Sequence, residues 1–167
     1  DELAAGVQKV IIFGNCGVLD SKIEDCSIII PTKGFRDEGT SYHYVSPSET
    51  IEINPDYKED FIKILNEYNF DYTEGYTWTT DAFYRETKDK IKYFKDNGAV
   101  CVEMEGTVIA SVCQRLNMKY FTFYYAGDNL DSTVWDKRSI DGPTNIDKKK
   151  EVLLIALELA VVLNNYE

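Results

Sequence analysis

The sequence is short of histidine. His43 stands alone among 167 residues, which argues against a zinc site or a histidine-relayed nucleophile. Basic residues are scarce as well: 18 lysines and arginines face 29 aspartates and glutamates, for a net charge of −11. Phosphate backbones select basic surfaces, so no nucleic-acid partner is expected. No apolar run approaches the roughly 20 residues that cross a bilayer, and no secretory leader is visible. The expectation is a protein without a membrane partner, in the cytoplasm. The four cysteines, Cys16, Cys26, Cys101 and Cys113, show no CxxC spacing and sit in mostly apolar surroundings. They read as reduced core residues rather than disulfide partners or metal ligands, and no metal site is expected.

What is present is enough apolar material for a single core, 44% of residues, with 13% aromatic, and this argues against disorder. No internal repeat, low-complexity segment or internal linker interrupts it. VQKVIIF (7–13) reads as a buried strand opening at Gly14 into a glycine turn, GNCG. CSIIIP (26–31) is a second apolar run, and the polar stretch 34–50 reads as a surface excursion. Asn54-Pro55 marks a helix start, with Phe61, Ile62, Leu65 and Tyr68 as its apolar stripe. GYTWTT (75–80) reads as a strand and residues 88–95 as a short charged helix. A strand over 99–102 then precedes a helix with Val108, Ile109, Val112, Cys113 and Leu116 on one face. YFTFYY (120–125) is another strand, 129–146 a loop, and 148–164 a long last helix. Strands alternating with helices argue an α/β fold with a largely parallel sheet. The chain opens at Asp1 rather than methionine, and DELAAGVQK reads as the tail of a helix, so an upstream portion is expected to belong with it.

Ligands of open α/β sheets bind beyond the carboxyl ends of strands, and three strand ends here carry unusual residues. One holds Gly14-Asn15-Cys16-Gly17, whose glycines let backbone N–H groups approach a ligand. Another holds Glu103-Met104-Glu105, two carboxylates where one buried element hands over to the next. A carboxylate taken out of water is costly unless paired, and strand alternation points the two in different directions. The third holds Gly127-Asp128. Taken singly, a GxxG segment is most often a plain turn and an Asp after a strand most often a helix cap. Both glutamates could also be surface residues at a helix N-terminus.

VEMEG at 102–106, TTDAFYRET at 79–87 and GFRDEGTSYHY at 34–44 together resemble the nucleoside phosphorylase and nucleosidase family. That family includes purine nucleoside phosphorylase, uridine phosphorylase and methylthioadenosine nucleosidase. The resemblance follows the family's order from about Asp1 to the last helix and covers only its C-terminal two-thirds. It implies a three-layer α/β/α fold with a central mixed sheet, in one domain over 1–167 that lacks the family's N-terminal part. It also implies roles. Glu105 would accept hydrogen bonds from the ribose 2′- and 3′-hydroxyls, with Met104 packed on the sugar and Glu103 solvated or structurally paired. An ionised carboxylate is acceptor-only and can hold two hydroxyls while offsetting oxocarbenium charge. Phe83 would stack on the base, with Val102 and the backbone of Cys16 and Gly17 lining the same pocket. Asp128, beside Gly127, would assist protonation at purine N7, as a partly dry carboxyl can.

The resemblance has gaps. Thr87 and Asp89 stand where uridine phosphorylases read uracil with Gln and Arg, which favours a purine, whereas GFRDEGTSYHY is closer to the uridine-like branch. At the first strand end the family pattern resembles R-x-G-[ST]-x-G, and the arginine position is Ile12. Only Gly14 and Asn15 remain there to meet phosphate, the family's other phosphate-binding residues belonging upstream of Asp1. The resemblance implies an enzyme cleaving the N-glycosidic bond of a nucleoside, a pentosyltransferase with phosphate as co-substrate, no other cofactor, and a homo-oligomeric assembly. Hydrolysis by a nucleosidase and a non-catalytic nucleoside-binding relative stay open as alternatives. His43 reads as a surface or subunit-contact residue, and Arg36 as the partner of a local carboxylate.

Overall fold

The apolar run that begins near Val7 does not turn at its first glycine. In the computed structural model, which describes residues 6–165, strand β1 spans Lys9–Val18 and passes straight through Gly14-Asn15-Cys16-Gly17. Its parallel neighbour β6, Lys119–Asn129, pairs with it from Lys9↔Lys119 to Val18↔Asn129, with a bulge between Cys16 and Gly17. Neither Gly14 nor Gly17 adopts a positive φ. Ladder pairing along the whole strand therefore overrides the local turn preference of the two glycines. The expected helix tail at the start of the chain lies largely outside the described residues.

Strand β2, Ile28–Asp37, also runs further than its apolar core of Ile28, Ile29 and Ile30. The start of the expected surface excursion, Gly34 to Asp37, is strand, paired in parallel with β4 (Tyr72–Thr80) as far as Asp37↔Thr80. It also pairs antiparallel with the short β3, Thr50–Glu52. Several polar side chains at its end and just beyond it bond one another. Glu38 accepts from the Ser41 amide at 2.9 Å and from Thr107 Oγ1 at 2.9 Å. Arg36, expected to meet a carboxylate, instead donates from Nε to Ser41 Oγ at 2.8 Å and from Nη1 to the Ser46 carbonyl at 2.8 Å. Its guanidinium stacks on Tyr42. His43 is exposed on this loop.

Strand β5, Ala99–Glu103, completes a sheet of order β3-β2-β4-β5-β1-β6. The sheet is mixed: β1 is antiparallel to β5, and β2 also meets β6 antiparallel at Ile28↔Tyr125 and Ile29↔Tyr124. That last pairing curls the sheet back on itself. Helices cover both faces, giving the expected three-layer arrangement. Helices α1 (Lys58–Glu67) and α4 (Ile146–Asn164) pack Phe61, Leu65, Ile155 and Leu159 against Phe121 and Phe123 of β6. Tyr120, pointing the other way by strand alternation, joins Ala110 and Cys113 of α3, Gly106–Leu116. Helix α2, Lys88–Asp96, buries Phe94 against Trp78 and Phe35.

Two helices differ in detail from expectation. Asn54 does not cap α1, which starts three residues beyond Pro55 behind Tyr57. Instead Asn54 adopts φ 54° and its side chain ties β2 to β6, donating to the Pro31 and Thr122 carbonyls and accepting from the Thr122 amide. A buried amide with three good partners outweighs a cap. The face that α3 buries is Gly106, Thr107, Ala110, Ser111 and Cys113, while Leu116 is 47% exposed. Small residues win because the helix lies close on β2: a Cβ at Gly34 would stand 2.5 Å from Thr107 Cγ2. All four cysteines are free and buried. Among the described residues, no helix is long and apolar enough to cross a membrane.

Candidate active site

One stretch of register gathers the three strand ends. Gly17 of β1 is paired with Val102 of β5 on one side and with Asp128 of β6 on the other. The glycine is what permits this approach: a Cβ there would lie 2.2 Å from Leu130 Cδ1, 3.1 Å from Asp128 Oδ1 and 3.2 Å from Val102 Cγ1. Over this junction opens a cleft of about 320 Å³, within the range of small-molecule sites. Asn15, Cys16, Gly17, Phe83, Val102, Met104, Glu105 and Asp128 all line it. Gly127 sits just behind the wall, where a Cβ would come 3.2 Å from Asn15 Cβ and 3.5 Å from the Cys16 carbonyl. Gly14 is the exception. It pairs with Tyr124 in the sheet and is not among the residues that line the cleft. A larger hollow of about 640 Å³ beside Tyr44 and Arg115 contains none of these residues.

The two glutamates have separate jobs. Glu103 is 5% exposed and accepts from Thr77 Oγ1 at 3.0 Å, Thr79 Oγ1 at 2.5 Å and Tyr124 OH at 2.9 Å. It also accepts the backbone N–H groups of Glu105 at 2.8 Å and Gly106 at 2.6 Å. Burial pushes its carboxyl up, and these hydrogen bonds oppose the push. Glu103 is thus the structurally paired member, and it fixes the turn from β5 into α3. Glu105 follows two residues later on the exposed side of that turn, and among the described residues its carboxylate is engaged by nothing stronger than the Met104 amide at 3.3 Å. It is left free to face the cleft. Met104 beside it is 40% exposed and Phe83 51%.

Asp128, 7% exposed, lies on the opposite wall and accepts from Trp135 Nε1 at 2.7 Å. Burial raises its carboxyl above the ordinary aspartate value, against the Trp135 hydrogen bond and the Arg138 charge. Asp128, Glu105 and the half-exposed ring of Phe83 therefore border one cavity.

The model of the Phosphorylase superfamily matches this chain over residues 2–161. The chain belongs to that superfamily. A 5'-methylthioadenosine/S-adenosylhomocysteine nucleosidase of Buchnera aphidicola is 31% identical over 144 residues, covering 79% of this chain and 61% of the relative. A guanosine phosphorylase of Halorubrum lacusprofundi is 23% identical over 114 residues, covering 68% of this chain and 47% of the relative. The chain thus spans between about half and two-thirds of the length of these relatives. A solved structure of a P. knowlesi homologue of P. falciparum PNP superposes with a TM-score of 0.78 at 18% identity, over 96% of this chain and 64% of that one.

This phosphorylase-superfamily cleft also holds residues that the sequence did not single out. Leu130 and Ile140, from the segment after β6, close it on the side of Asp128. Trp135 was hidden in the same segment, with no periodicity to place it. Glu86 is the most consequential. It caps the 3-10 turn Phe83–Arg85 and lines the cleft beside Asp128. Burial, then the charge of Asp128, lifts its carboxyl to about 7. Its position three residues after Phe83 was the available signal. No group of three or more His, Cys, Asp or Glu among the described residues is arranged to hold a metal ion, and none of the residues lining the cleft is basic.

Proposed function

We propose that this chain forms the ribose-and-base part of a site that cleaves the N-glycosidic bond of a nucleoside, a purine nucleoside in preference. The observation that carries the reading is the division between the glutamates: Glu103 is consumed by the fold, while Glu105 is free at the cleft that Asp128 shares. Glu105 accepts the 2′- and 3′-hydroxyls and offsets the positive charge that develops on the sugar as the bond breaks. Phe83 stacks on the base, and Met104 packs against the ribose. Asp128 gives its proton to the base nitrogen as the bonding electron pair moves onto the base. The relatives' names, guanosine phosphorylase and methylthioadenosine/adenosylhomocysteine nucleosidase, support a purine.

The acceptor proposed for the whole protein is phosphate, with no cofactor beyond it, in a cytoplasmic homo-oligomer. A sedimentation mass of one 19.1 kDa chain would count against the oligomer. Asn15 is the one phosphate candidate that reaches the cleft. Since no basic side chain lines the cleft and positioned cations carry most anion recognition, water as the acceptor is the second reading. The test is release of free base from guanosine, adenosine and uridine, with and without phosphate. Asp128→Asn should lower release from the purine nucleosides by roughly a hundredfold or more, the usual share of a general acid. Release that is indifferent to Asp128→Asn overturns the assignment.

A further inference from the structure

Glu86 has no role in the reaction as drawn, yet it occupies the base-binding end of the cleft. The turn Phe83–Arg85 places it there, with its own amide donating to the Phe83 carbonyl at 3.1 Å. Its side chain is half-buried, borders the cavity that Asp128 borders, and has no hydrogen bond to any described residue. The other charged and titratable groups around it come from several elements. From β1 comes the buried Cys16 thiol, which burial pushes up. From the end of β5 come Glu103, already saturated, and Glu105. After β6 come Asp136 and Arg138, which pair with each other at 3.5 Å, while Arg138 also donates to the Ile23 carbonyl. On α2, Lys90 is committed to Asp37 at 2.7 Å. Arg85 is exposed on the same turn. Lys88 at the start of α2 is exposed as well, and neither it nor Arg85 lines the cleft, whose lining holds no basic side chain beside Glu86 and Asp128.

Two carboxyls in one partly dry space do not both ionise readily, and the second proton is held as a property of the pair. We propose that Glu86 and Asp128 act as a carboxyl pair that holds one proton between them near neutral pH, and that this pair supplies the proton to the departing base. The proposal rests on the nucleoside-cleaving reading for the last step and on the cleft alone for the first. The pair enters with one proton. As the N-glycosidic bond breaks, that proton goes to the base nitrogen and both carboxyls are left ionised. One proton returns from water once the base has gone. Burial and the Asp128 charge, which together lift Glu86 to about 7, agree with the Glu86 carboxyl as the resting holder of the proton.

Two measurements on the chain test this. The first is carboxyl 13C NMR titration without substrate. The wild type should show a Glu86 transition near neutrality, and Asp128→Asn should move that transition to lower pH. A Glu86 midpoint unchanged by Asp128→Asn, or one in the ordinary glutamate range, overturns the pair. The second is the pH profile of kcat/KM for a purine nucleoside. Glu86→Gln should shift its alkaline limb to lower pH and cost roughly tenfold or more at neutral pH, whereas Glu86→Asp should restore the limb in part. A limb unmoved by Glu86→Gln overturns the pair as proton source. Coupled titration in a chain that cleaves no nucleoside would uphold the pair and sink the proposed function instead, so the two failures are distinct.

Discussion

At the residue scale, Glu103 and Glu105 differ by two positions and by everything that surrounds them. Glu103 meets three hydroxyls and two backbone amides, so truncating it strands several buried donors. Glu103→Ala should therefore destabilise the protein by about 3 kcal/mol or more. Glu105→Ala should leave stability within about 0.5 kcal/mol, as at other exposed positions. Urea unfolding of the two variants would read this directly; equal losses would contradict the division of roles. Glu86 gives a pH signature. Its carboxyl sits near 7 in the fold against an ordinary 4.5. Between those values the unfolded chain releases the proton and the folded chain keeps it, so the contribution of this group to stability falls as pH rises through that window and is flat above it. Glu86→Gln should accordingly raise Tm at pH about 8 and leave it unchanged at pH about 4. A Tm gain confined to acid pH would show the sign to be wrong.

At the scale of elements, much was legible where local pattern and tertiary context agree. The strand before VEMEG, the helix after it and the long last helix follow from hydrophobic runs that the fold then uses. The sequence misled where pairing partners decide. GNCG carries turn residues, yet β6 alongside turns it into strand. Asn54-Pro55 looks like a cap, yet the buried amide is taken by Pro31 and Thr122. The apolar side of α3 looked like its buried side, yet close approach to Gly34 selects the small residues. That last point is testable. Gly34→Ala would bring a methyl within 2.5 Å of Thr107 Cγ2 and 2.8 Å of Ile53 Cδ1, and should cost about 1–3 kcal/mol as overpacking. Thermal denaturation unaffected by Gly34→Ala would mean that α3 does not lie where it is described. In the cleft, the strand-end residues were legible because their types are unusual at those places. Glu86 and Trp135 were not, since a turn and a loop bring them in without periodic signal.

For the whole molecule, the curled mixed sheet is what converts three distant motifs into one cleft: β1 runs between β5 and β6, and Gly17 touches both. The molecule around that cleft is acidic, with a net charge of −11, and the lining contains no basic side chain. Its electrostatics suit a neutral nucleoside far better than a free anion. The most direct measurement is titration calorimetry of the chain with guanosine, in the presence and absence of phosphate, for the wild type and Glu105→Ala. The account predicts measurable binding that phosphate changes little, weakened by Glu105→Ala by about 1.5–3 kcal/mol, the range for hydrogen bonds to a charged group. Binding of guanosine that is the same with and without the Glu105 carboxylate would contradict it.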